Sequence, residues 1–142
     1  MKNSIFNQVA DLNLPFGEYA VVGSGVMSAH GIREHKDIDL LVTPRLYEEL
    51  KAKGWKEKAI RPDFVVVEND IFEASPNMIT LPMYQPDVPK LIREADIING
   101  ISFVKLEEVI NFKRAMGREK DLKDIDLINN YLTAEIEVLR PL

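Results

Sequence analysis

The chain of 142 residues has no cysteine, which excludes a disulfide framework, thiolate catalysis and a zinc–thiolate centre. Histidine is scarce. His30 and His35 invite a metal site, but aspartates nearby offer the harder oxygen ligands that Mg²⁺ prefers. No apolar stretch nears membrane-spanning length, and the opening MKNSIFNQVADLNL lacks the apolar segment of a secretion signal, so a cytoplasmic protein is expected. Positive charge is not in excess: the net charge of −5 argues against a broad nucleic-acid surface. Repeats and low-complexity segments are absent. This length predicts a single domain over residues 1–142, large enough for a core without staples.

The chemistry that is present concentrates in residues 21–42, VVGSGVMSAHGIREHKDIDLLV. The apolar run ending at Val22 predicts a strand, and Gly23-Ser24-Gly25 a sharp turn into a short helix. Ser24 is the candidate N-cap and Gly31 the stop. Such a turn leaves backbone N–H groups at the positive end of a helix, where phosphate binds well. Asp37 to Val42 predicts a second strand. Side chains at i and i+2 share a face, so Asp37 and Asp39 project together while Ile38 and Leu40 enter the core. Adjacent carboxylates repel unless a cation lies between them, and Mg²⁺ suits carboxylate and phosphate oxygens. A phosphate cradle beside a metal-binding pair makes a nucleotide site. Arg33 and Lys36 fall near the expected triphosphate, but both read more simply as a solvated loop.

Gly-Ser, about a dozen residues, then Asp-x-Asp among apolar residues resembles the signature of the nucleotidyltransferase superfamily, in particular its small single-domain members, the minimal nucleotidyltransferases. The tail Leu106-Glu107-Glu108-Val109-Ile110 … Lys113 … Arg118-Glu119-Lys120-Asp121-Leu122-Lys123-Asp124-Ile125 resembles the helical pair that ends many of them. The resemblance implies an α/β (α+β) fold of the DNA polymerase beta type, a mixed sheet flanked by helices with a C-terminal helical pair. It also implies a third carboxylate, from a neighbouring strand, beside Asp37 and Asp39. Glu73 is the best candidate and Glu68 the runner-up, although the family commonly has aspartate there.

Elsewhere the pattern predicts an amphipathic helix from Ile5 to Leu12, and a helix capped by Thr43-Pro44 and ended by Gly54. Hairpins are expected at Asn69-Asp70 and Asn99-Gly100. Four prolines between residues 75 and 89 preclude a regular helix. The apolar residues there, Met78, Ile79, Leu81, Met83 and Tyr84, form either a packed loop or a lid. In the C-terminal helices, Lys113 and Asp121 each fall within an apolar arc. A Lys113–Asp121 ion pair locking the helices is the plain reading. In the alternative reading, Lys113 reaches a triphosphate.

Two functions follow. The first is a Mg²⁺-dependent enzyme moving a nucleoside monophosphate from a nucleoside triphosphate to a hydroxyl acceptor. Asp37, Asp39 and Glu73 would be catalytic and metal-binding, and Gly23, Ser24, Gly25 and Lys113 nucleotide-binding. The second is an antitoxin-like or regulatory nucleotide-binding module acting on a partner protein. A nucleotide sensor is a third reading, and a homodimer is compatible with so small a chain.

Overall fold

In the computed structural model, residues 4–78 and 81–139 are described; Ile79, an apolar residue of the proline-rich stretch, lies outside them. The chain runs α1 (Ile5–Ala10), β1 (Tyr19–Val22), α2 (Ser24–Ala29), β2 (Ile38–Val42), α3 (Pro44–Ala52), β3 (Lys56–Arg61), β4 (Phe64–Asn69) and β5 (Phe72–Ser75). It continues with α4 (Val88–Arg93), β6 (Asp96–Ile98), β7 (Ile101–Phe103), α5 (Leu106–Met116) and α6 (Glu119–Leu139). The seven strands form a mixed sheet in the order β3-β4-β5-β2-β1-β7-β6. β2–β5 and β1–β7 are parallel, and the remaining pairs antiparallel. Fold class, sheet and terminal helical pair agree with expectation.

Local chemistry accounts for most boundaries. Thr43 accepts a hydrogen bond from the Leu46 N–H, with Pro44 in the first turn of α3. At the Asn99-Gly100 turn both residues have positive φ, which the tight hairpin demands. Ala20, Val21, Ile38, Val42, Val67 and Phe103 are fully buried across the sheet, and Ile5 and Val9 of α1 pack into the same core. Trp55 meets Phe72 at a ring distance of 6.2 Å, where α3 returns to the sheet.

Two elements escape the sequence pattern. β3 is an edge strand whose six residues are all exposed, so it has no apolar alternation to reveal it. α4 begins at the end of the proline-rich stretch, because Pro89 occupies its first turn and Asp87 caps it by accepting from the Lys90 N–H.

Candidate functional site

Asp39 is the exposed position of an otherwise buried β2. The ladder sets its neighbours: Val22, the residue before the glycine turn, lies opposite on β1, and Glu73 opposite on β5. Asp39 and Glu73 are register partners in parallel strands, so they share a face. Glu68 pairs with Glu73 from β4, one strand further out. Glu73 lines the hollow that also contains Asp39, and Glu68 does not. Asp37 precedes the first residue of β2 and is exposed.

These three carboxylates do not form a closed cluster. Among the described residues no group of three His, Asp or Glu side chains is placed to hold a metal ion. The physical reasons are visible: Asp37 lies outside the ladder, and the Glu73 carboxylate is 3.5 Å from the Lys58 ammonium, which also bridges to Glu68. Mg²⁺ seldom needs an all-protein cage, since one or two carboxylates plus substrate phosphates and waters suffice. The donor chemistry of Asp39 and Glu73 therefore fits such an ion.

The electrostatics mark Asp39 as the strained member. Its pKa is pushed up to about 6, first by desolvation in the concave wall, then by the charges of Glu73 and Asp37, with Lys113 opposing.

Gly23 has φ +73° and ψ −141°, a conformation essentially confined to glycine. A side chain there would approach Asp39 Oδ2 at 3.5 Å. Gly23, rather than Ser24, is the N-cap, and Ser24 is the first helical residue. Gly25 is glycine for a different reason: a Cβ would lie 2.6 Å from Val21 Cγ1, so α2 rests on β1 only without one. α2 has six residues, and its dipole is correspondingly small.

Lys113 is buried as expected, but its principal partner is Asp124 at 2.8 Å, with Asp121 at 3.9 Å. Asp121 is occupied instead by Arg118, whose backbone N–H and Nε both donate to it. Arg33 donates through Nε and Nη2 to the two oxygens of Asp124, both at 2.9 Å. The loop before β2 is thereby tied to α6: Arg33 stays exposed, as expected of a loop residue, but its guanidinium is engaged by Asp124. Burial works to raise the Asp124 pKa, but bonds from Arg33 and Lys113 outweigh it and hold the value low. The Lys113–Asp124–Arg33 cluster was hidden in the sequence, since helical periodicity marks Asp121 and Asp124 alike. His35 contacts Ser28 and Gln8, and His30 contacts Tyr131, so both histidines have structural partners.

Beside the carboxylates lies a hollow of about 190 Å³, walled mainly by Leu41, Ile60, Phe64, Val66, Met78 and Phe112. Tyr84 packs edge-on against Phe112 at 5.7 Å, while Met83 is 90% exposed and shelters nothing.

The seven-stranded mixed sheet with its flanking helices is a nucleotidyltransferase-like fold. The fold is shared with a solved structure titled as ANT(2")-Ia in complex with adenylyl-2"-tobramycin, at a TM-score of 0.51 and 18% identity. The match covers 96% of this chain and 90% of that one. No protein-family model matches the sequence, and no curated protein does.

Proposed function

We propose that the chain is a nucleotidyltransferase, moving a nucleoside monophosphate from a nucleoside triphosphate to a hydroxyl acceptor. The observation that carries this is the register pairing of Asp39 with Glu73 directly beside the Gly23 turn, in a fold shared with a nucleotidyltransferase. Asp37, Asp39 and Glu73 are assigned to metal binding and catalysis, with Glu73 preferred to Glu68. The backbone at Gly23, Ser24 and Gly25 is assigned to the triphosphate, and Lys113 adds positive charge from its seat on Asp124. A Mg²⁺ ion held by Asp39 and Glu73 would neutralise phosphate charge and lower the pKa of the acceptor hydroxyl. Asp39 and Glu73 orient the reacting oxygens, and the rigid Gly23 turn keeps the phosphates at a fixed distance from them.

The test is a calorimetric titration of the protein with ATP, GTP, CTP and UTP in the presence of Mg²⁺. One nucleotide should bind, and Asp37→Ala/Asp39→Ala should abolish that binding. Absence of binding by all four would refute the self-sufficient enzyme.

A second reading has its own support. Beyond Tyr131, α6 carries Leu132, Ile136 and Val138 at 36%, 63% and 81% exposure. Leu132 and Ile136 continue the spacing of the buried Ile125 and Ile128. This is the surface expected of a module that binds a partner protein. A protein that co-purifies stoichiometrically, and is lost from Leu132→Glu/Ile136→Glu, would favour it.

A further inference from the structure

We infer that the acceptor is a hydroxyl carried on a compact apolar body, a single aromatic ring or a branched aliphatic group, which enters the hollow beside Asp39 and Glu73. The inference rests on the nucleotidyltransferase reading and narrows it.

The position of the hollow follows from the ladder. Asp39 and Glu73 share one face of the sheet, and two residues further along that same face come Leu41 and Ser75, themselves register partners. Val66 stands two residues before Glu68, the residue paired with Glu73 on β4. The carboxylates thus stand on one row, and the next row forms the floor of the hollow. Met78 and Phe112 wall it, and Ile60 and Phe64 extend it toward the sheet edge.

In-line displacement places the attacking and leaving oxygens on opposite sides of the α-phosphorus. The Gly23 turn, at the end of β1, receives the leaving phosphates. Following the strand order β1-β2-β5-β4-β3, the acceptor must then come from the far side of Asp39. Val22 and Gly23 line the β1 end of the hollow, and its β5, β4 and β3 walls lie on that far side. In the step, the acceptor oxygen forms a bond to the α-phosphorus, and the bond from that phosphorus to the bridging oxygen breaks. Its electron pair leaves on pyrophosphate, and the hydroxyl proton passes to solvent.

The chemistry of the walls decides the kind of acceptor. The Ser75 hydroxyl is already engaged, donating to the Val65 carbonyl and accepting from the Asn77 N–H. Beyond the carboxylates, Ser75 and Asn77 the lining side chains are apolar, so a polyhydroxylated sugar would lose more hydrogen bonds to water there than it regained. An apolar body gains from the same transfer. The volume, about 190 Å³, is close to that of an apolar cavity that takes up a single benzene ring.

The experiment uses the full-length protein with ¹³C-methyl-labelled methionine, in which Met78 reports on the hollow and the four other methionines serve as controls. The probes are p-cresol and myo-inositol, each titrated with and without the nucleotide that binds. p-Cresol should move the Met78 signal saturably and myo-inositol should not. Val66→Phe, which fills the hollow, should weaken p-cresol at least ten-fold and leave nucleotide binding unchanged. Ile60→Lys, on the exposed edge strand, repeats the test where folding is not at risk. A Met78 response to myo-inositol but not p-cresol would overturn the inference. Loss of nucleotide binding in folded Val66→Phe or Ile60→Lys would also overturn it, assigning the hollow to the base. Absence of nucleotide binding in the wild type would instead be a failure of the underlying reading.

Discussion

Replacing Asp39 by asparagine should make the protein more stable at neutral pH, although it removes a residue assigned to catalysis. The Asp39 pKa rises from an ordinary 3.8 to about 6 in the folded state. Above pH 6 the carboxylate is ionised in both states, so the native state carries the whole cost of a charge that is partly desolvated and stands beside Glu73 and Asp37. Below about pH 4 it is protonated in both states and the cost disappears. Stability from this group therefore rises as pH falls from 6 to 4. A shift of roughly two units at about 1.4 kcal/mol each gives an upper bound near 3 kcal/mol. Asp39 is open to solvent, so screening reduces this to about 1 kcal/mol. For a chain of this size that is roughly 3 °C in Tm. Thermal melts of wild type and Asp39→Asn between pH 4 and 8, without divalent cations, measure it. The gain should be full at pH 8 and vanish at pH 4. A loss at pH 8, or a gain independent of pH, would refute the reasoning.

Asp124 behaves oppositely, since its pKa is held low and its contribution is lost as pH falls below the ordinary carboxylate range. Asp124→Asn leaves the buried Lys113 ammonium with only the more distant Asp121 as counter-charge and should cost about 3 kcal/mol in urea unfolding at pH 7. Gly23→Ala must hold alanine at φ +73° and should cost roughly 1–3 kcal/mol by the same measurement. Gly25→Ala should be destabilising for a steric reason, and Val21→Ala should partly rescue it by removing the methyl group 2.6 Å away. Lys58→Met releases Glu73 from its ion pair and should tighten Mg²⁺ binding several-fold by calorimetry.

How much of this could be read beforehand depended on the kind of signal. Asp39 was legible because one acidic residue interrupts an apolar strand, and Gly23 because its turn ends another. The caps at Thr43 and the turn at Asn99-Gly100 are local, so the sequence displayed them directly. Glu73 was preferred to Glu68 because it follows the hairpin on an otherwise apolar strand, while its place opposite Asp39 is visible only in the β2–β5 register. β3 was invisible because an edge strand with no buried residue has no hydrophobic period. The expected Lys113–Asp121 pair is present at 3.9 Å, but the shorter contact to Asp124 was missed because both aspartates lie on the inner side of α6, and only the tertiary fold shows that Arg118 engages the first. The bond from Arg33 to Asp124 spans 91 residues, beyond the reach of any local pattern.

Thermal unfolding with each of ATP, GTP, CTP and UTP, with and without Mg²⁺, tests the account most directly. Asp37→Ala/Asp39→Ala is the control, scored by the shift on adding ligand because the acidic site itself alters Tm. At about a hundred times its dissociation constant a ligand stabilises the native state by roughly 2.7 kcal/mol. For this chain length that is roughly 8 °C. The account predicts such a shift for one nucleotide, dependent on Mg²⁺ and absent in the double variant. No shift with any of the four, or an equal shift in the variant, would contradict it.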